Sequence, residues 1–155
     1  RAKAAGAPVE ADVSQLPPGE MMVVEWRGKP VWIVHRTREM LGMLAALEGD
    51  LADPDSRRSL QPEDCTNRER ALRPEFLVVV GICTHLGCSP GEKFHPGPAS
   101  GLDASWPGGF LCPCHGSTFD LAGRVFRNKP APTNLEVPPH RYLAPGRLLI
   151  GDDRA

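Results

Sequence analysis

Two short loops constrain this chain more than any other feature: Cys83-Thr84-His85-Leu86-Gly87-Cys88 and Cys112-Pro113-Cys114-His115-Gly116-Ser117. Each pairs a cysteine with a histidine at ligand spacing, Cys83-x-His85 and Cys112-x-x-His115. Each also carries one further cysteine, Cys88 and Cys114. Thiolate and imidazole are soft and borderline donors, so four of them in two Gly- and Pro-punctuated loops point to a metal site. A Cys2His2 set has two readings. One is a structural zinc ion. The other is a 2Fe-2S cluster in which two imidazoles replace two thiolates on one iron.

A chain of 155 residues is one domain, or one domain with an insertion. At this size roughly two thirds of the unfolded surface can be buried, so a sizeable core is available. Glycine (16) and proline (17) are abundant and aromatics reach only 6%, which predicts many turns and short strands, not a helical bundle. The expected class is all-β with one short helix and long loops. A net charge of -1 gives no electrostatic case for nucleic acid or an anionic membrane surface. No run of about 20 apolar residues is present to span a membrane. The chain opens at Arg1 without a methionine or a signal-peptide pattern and reads as a fragment or processed product. No Ser/His/Asp pattern, phosphate-binding glycine loop or paired carboxylates stand out.

Residues Arg1 to Gly19 are rich in Ala, Pro and Gly, lack an apolar period and read as a flexible lead-in, with disorder expected up to Pro8. Met21–Trp26 and Pro30–His35 flank the turn Arg27-Gly28-Lys29-Pro30 and predict a hairpin. Trp26 and Trp32 read as packing residues. Met40, Leu41, Leu44 and Leu47 recur at helical spacing; Thr37 would cap that helix, with Met40 at the box position, and Gly49 would end it. Asp50 to Arg73 is polar and charged and reads as a solvated loop with a short helical turn. Cys65 within it reads as an inert thiol. Glu75–Ile82 is an apolar run leading straight into Cys83, as a buried strand that positions a ligand loop would be. Pro90 to Gly109 has no core pattern and is expected to pack against the metal-binding region. Phe110-Leu111 enters the second loop, Ser117 to Asp120 leaves it, and Ala122-Gly123-Arg124 is a turn. Tyr142-Leu143 and Arg147–Ile150 predict a closing hairpin. His35, His95 and His140 stand in no ligand spacing and read as surface or packing residues.

CTHLGCSP followed by CPCHGSTFD resembles the two cluster-binding loops of Rieske iron–sulfur proteins. The form with two extra cysteines resembles the Rieske subunit of cytochrome bc complexes. WRGKPVWIVHRT resembles that subunit's first hairpin, Lys129-Pro130-Ala131-Pro132 its proline loop over the cluster, and Asn134–Pro138 its next strand. The resemblance covers about Val9 to Ile150. It implies a hinge remnant over residues 1–19 and a Rieske domain over 20–150. In that fold an antiparallel β base carries residues from about 81 to 132 as an inserted cluster-binding subdomain. It further implies a 2Fe-2S cluster with Cys83 and Cys112 on the inner iron, His85 and His115 on the outer iron, and a Cys88–Cys114 disulfide. His115 would face a quinol, His85 would be the second exposed histidine, and both would be catalytic. Leu86 would form an apolar docking tip, and Ser117 would donate a hydrogen bond to a bridging sulfide. High-potential members carry tyrosine where this chain has Phe119, which has no donor, so a lower potential is expected here.

The implied role is one-electron transfer from membrane quinol at a cytochrome b subunit to a c-type cytochrome subunit, with no nucleic-acid partner. The implied place is the periplasmic side of a bacterial inner membrane, an oxidising compartment in which a disulfide persists. An N-terminal membrane helix absent from this chain would precede it. The four ligands are shared with Rieske ferredoxins and oxygenases, which usually lack counterparts of Cys88 and Cys114. The small subunit of a periplasmic oxidase can share the disulfide; WRGKP and KPAPTNLEVP favour the bc type. Charge counting explains the use of histidine. Two ferric ions, two sulfides and four thiolates sum to -2, whereas two neutral imidazoles bring the oxidised cluster to zero, and its potential rises by several hundred millivolts.

Overall fold

The protein is described here from a computed structural model, which covers residues 7–152. Two strands buried on both faces organise it. Along β3 (Lys29–His35), Val31 and Ile33 alternate with Trp32 and Val34. Along β4 (Phe76–Val80), Val78 and Val80 alternate with Leu77 and Val79. Side chains alternate across a strand, so each set faces its own core. The first core gathers Val31, Ile33, Val78 and Val80 with Ala11, Val13, Trp26, Leu148 and Ile150. The second gathers Trp32, Val34, Leu77 and Val79 with Cys83, Phe110, Cys112, Phe119 and Leu121. The continuous apolar run before Cys83 is therefore the signature of a strand sandwiched between two cores.

β2 (Met21–Trp26) completes the central sheet in the order β2-β3-β4. Its turn to β3 places Arg27 and Gly28 at φ +55° and +72°, the primed hairpin geometry that suits strand twist. The Arg27 guanidinium lies 4.8 Å from the Trp26 ring centroid. A second antiparallel sheet contains β1 (Val9–Asp12), β8 (His140–Ala144) and β9 (Arg147–Ile150), in the order β1-β9-β8. It covers the first core. A third contains β5 (Gly91–Lys93), β6 (Gly109–Leu111) and β7 (Thr118–Phe119) and carries Phe110 and Phe119 into the second core. The ligand loops follow β4 and link β6 to β7. They share a core with the central sheet.

The structure departs from expectation in five places. Val9–Asp12 is a strand paired with β9, not lead-in; only Ala11 of its four residues is buried, so the sequence shows little alternation. The disorder expected up to Pro8 falls largely on residues 1–6, outside the described residues. The base is two three-stranded sheets, not one. Asn134–Pro138 forms no strand ladder. Val80 N donates to Glu136 O at 2.8 Å and Val137 N to Leu60 O at 2.9 Å, after which Pro138 and Pro139 supply no N–H. The helix α1 spans only Arg38–Gly42, and a 3-10 turn, Ala45–Asp50, replaces its second half. Thr37 does cap it: Met40 N donates to Thr37 Oγ1 at 3.1 Å. Gly42, a poor helix former, is its last residue, and the Leu44 carbonyl accepts from Arg124 Nη2 at 2.8 Å.

The fifth departure is Asp50 to Arg73, which is not simply solvated. Leu51, Asp53, Ser56, Cys65, Arg70 and Ala71 are buried. The Asp53 carboxylate accepts from the backbone of Arg57 and Arg58 and from Ser59 Oγ, at 2.9, 2.9 and 2.7 Å. Polar residues satisfy one another there, which a hydropathy pattern does not register.

Candidate metal centre

Each ligand loop is closed by the same two backbone bonds. In the first, Cys83 N donates to Cys88 O at 2.6 Å and Gly87 N to Cys83 O at 3.1 Å. In the second, Cys112 N donates to Ser117 O at 2.8 Å and Gly116 N to Cys112 O at 3.0 Å. The fifth residue of each is a glycine in the left-handed region, Gly87 at φ +84° and Gly116 at +81°. That conformation is why glycine stands there in both loops. Entry into the first loop needs another glycine: a Cβ on Gly81 would lie 2.2 Å from the Trp32 indole.

The loops bring six residues together. Cys83 and Cys112 are both buried, at 3% and 2% exposure, and the Cys112 sulfur acts on the Cys83 thiol. Burial pushes the Cys83 thiol up, and the Cys112 sulfur adds to this, while the His85 backbone N–H and the Ser117 hydroxyl oppose it. A bound metal must displace that proton. The His85 and His115 rings lie outside them, 4.9 Å apart at the centroids and nearly perpendicular. His85 is half-buried and His115 exposed. Cys88 and Cys114 are joined in a disulfide across the two loops. The sulfurs of Cys88, Cys112 and Cys114 lie within 4.8 Å of one another, but two of them are bonded together and are spent as donors.

A third segment clasps both loops. Thr84 Oγ1 donates to Thr133 O at 2.7 Å. Ala131 N donates to Ser117 Oγ at 3.0 Å, which leaves the Ser117 proton for the sulfur side. Pro130 lies exposed at the surface beside this clasp, and Leu86 is 68% exposed at the tip of the first loop. Phe119 is fully buried, opposite Phe110 in β6, and offers no donor.

The chain matches the profile of the Rieske [2Fe-2S] domain over residues 7–139. It belongs to the Rieske family. It is 58% identical over 154 residues to the ubiquinol-cytochrome c reductase iron-sulfur subunit of Allochromatium vinosum, covering 99% of this chain and 74% of that one. It is 42% identical over 146 residues to the mitochondrial cytochrome b-c1 complex subunit Rieske-3 of Nicotiana tabacum. There the match covers 94% of this chain and 47% of the relative, so the chain spans about half of that protein. Among solved structures, a hyperthermophilic respiratory Complex III matches with a TM-score of 0.54 and 25% identity, over 94% of this chain and 74% of that one.

The Rieske donor set fits the group that the family carries. Cys83, Cys112, His85 and His115 have the donor chemistry that such a centre would need, two buried sulfurs and two imidazoles nearer solvent, with Cys88 and Cys114 held in the disulfide. Sequence reasoning placed the loops and named Lys129–Pro132 as a segment over them, but missed the bonds of the clasp: nothing in Thr84, Thr133 or Ala131 as residue types marks those partners. It also missed the buried arginines behind β7. Their only signal was two arginines, Arg36 and Arg124, beside apolar strand and turn residues. No helix among the described residues is long and apolar enough to cross a membrane.

Proposed function

We propose that this chain is the electron-carrying iron–sulfur subunit of a quinol:cytochrome c oxidoreductase. The observation that carries this reading is the His85–His115 ring pair, set toward solvent above two buried sulfurs and closed by the Cys88–Cys114 bridge. Cys83, His85, Cys112 and His115 would hold the 2Fe-2S cluster, on a subdomain of about residues 81–132. When bound, the cluster supplies a one-electron couple at raised potential.

The chain's own residues do the rest. An imidazole that binds metal through one nitrogen keeps a proton on the other. That proton would be acidified beside an oxidised centre, so His115, the more exposed ring, would present the deprotonated second nitrogen to a quinol hydroxyl and take up its proton as the electron leaves the quinol. His85 is the second such group. Leu86 gives the tip an apolar surface to enter a quinol site on a cytochrome b subunit, and a c-type cytochrome then receives the electron at the same tip. Ser117, held by Ala131 N–H, directs its hydroxyl toward the sulfur side, where it favours the more negative reduced state. The disulfide suits an oxidising compartment, the periplasmic side of a bacterial inner membrane.

Redox titration of the iron-loaded protein against pH tests this. The reading expects a high potential that falls with rising pH through two ionisations. A low potential that does not change with pH would instead favour a ferredoxin or oxygenase module.

A further inference from the structure

Three arginines are enclosed beside the turn that follows β7. Arg36, Arg70 and Arg124 are all buried. Arg124 Nε donates to Asp120 Oδ2 at 2.8 Å, and its Nη1 reaches Glu48 Oε2 at 3.3 Å. Arg36 and Arg70 are differently placed. Arg36 donates to the carbonyls of Pro74 and Leu121, each at 2.9 Å. Arg70 donates to the Ala122 carbonyl at 3.2 Å and to Gln61 Oε1 at 3.0 Å. All of these acceptors are neutral.

The nearby buried carboxylates are committed elsewhere. Asp120 is paired with Arg124, and Asp53 accepts from Arg57, Arg58 and Ser59. Burial lowers both guanidinium pKa values to about 10; Asp120 opposes the shift most, followed by Glu69 and Tyr142 at Arg36 and by Cys65 and Asp53 at Arg70, none of the carboxylates among them hydrogen-bonded to either guanidinium, and both arginines keep their charge at neutral pH. Asp120 follows Ser117 by three residues, about 10 Å of extended chain. The intervening residues, Thr118 and Phe119, are buried, so water screens the charge poorly.

We propose that Arg36 and Arg70 tune the potential of the iron–sulfur centre: their buried charges, unmatched by a dedicated carboxylate, favour the more negative reduced state and raise its potential. This rests on the loops holding that centre. Donors that only braced the turn would not need to be charged. Here the charge itself acts, through space, where Phe119 supplies no hydrogen bond.

EPR-monitored redox titration of the iron-loaded protein tests this with Arg36→Gln, Arg70→Gln, Arg36→Lys, Arg70→Lys and Glu48→Gln. Each glutamine variant is expected to lower the equilibrium constant for reduction about three- to tenfold, or about 30–60 mV for one electron. Each lysine variant keeps the charge and is expected within about twofold of the parent. Glu48→Gln, at the solvent edge of the network, removes a negative charge and is expected to raise the potential. Glutamine and lysine variants that shift together, or glutamine variants that do not shift, would overturn the proposal. If the glutamine variants do not fold, the lysine pair and Glu48→Gln decide: a Glu48→Gln potential that falls or stays level overturns it. Failure of the parent protein to bind iron and sulfide would overturn the ligand assignment as well.

Discussion

The two ligand loops have one backbone and different side chains. Both close a five-residue step with the same pair of hydrogen bonds, and both turn on a left-handed glycine. Step by step, His85 stands where the second loop has Cys114, Leu86 where it has His115, and Cys88 where it has Ser117. The shared backbone places Cys83 and Cys112 alike, buried side by side. The side-chain offset makes the site asymmetric. It sets His85 half-buried and His115 exposed, and it lets the sixth residue of one loop reach the third of the other as a disulfide. Loop geometry thus sets the two cysteines side by side, and residue choice sets which side chains face outward.

The largest expected effect comes from cutting the link between the loops. Cys88→Ser with Cys114→Ser opens a bridge across 26 positions. In the chain-entropy model that costs about 3–4 kcal/mol, read as a fall in thermal midpoint. Loss much below 1 kcal/mol would mean that the clasp, not the staple, joins the loops.

A smaller effect tests the shared backbone. No atom lies within 4 Å of a Cβ built on Gly87 or Gly116, so alanine meets only the left-handed φ. Gly87→Ala and Gly116→Ala should each cost about 1–2 kcal/mol, and by similar amounts. Denaturant unfolding of the two variants checks this; unequal costs break the equivalence.

Phe119→Tyr sharpens the asymmetry from the second loop's side. A hydroxyl reaching a ligand sulfur adds about 1 kcal/mol of hydrogen bonding, or roughly 40–60 mV upward for one electron. Voltammetry showing no upward shift would remove Phe119 as the reason for a lower potential.

The smallest effect appears only in acid and concerns the third segment, which touches both loops. Burial alone would raise the Asp53 carboxyl, but Ser59 and the Arg58 and Arg57 backbone amides outweigh it and hold it below 3.8. A depressed folded-state pKa contributes stability that is complete above 3.8 and is lost as pH falls through the folded value. Asp53 also anchors Asn134, whose Nδ2 donates to Asp53 O at 2.9 Å. Asp53→Asn should therefore flatten the acid limb of the stability profile. An unchanged acid limb would assign that limb to other carboxylates.

The loops were legible because cysteine and histidine at short fixed spacing, between glycines and prolines, stand out as residue types. The central strands were legible because burial on both faces demands an unbroken apolar run. The bonds of the clasp were not, since Ala131 and Thr133 act through backbone groups that every residue has, and the Thr84 hydroxyl carries no mark of its distant acceptor. Strand β1 escaped because a four-residue edge burying one alanine shows no period. The arginine network escaped because its acceptors are mostly carbonyls, and a sequence does not show where carbonyls point. The helix was overextended because Leu44 and Leu47 keep helical spacing even where the backbone tightens to 3-10.

Pulsed EPR of the reduced protein, with nitrogen-15 confined to histidine, tests the central assignment most directly. Two inequivalent metal-bound histidine nitrogens are expected in the parent, and the coupling from one should vanish in His115→Cys if a loaded cluster survives. A spectrum with no strongly coupled histidine nitrogen, or protein that carries one zinc and no iron, would contradict the account.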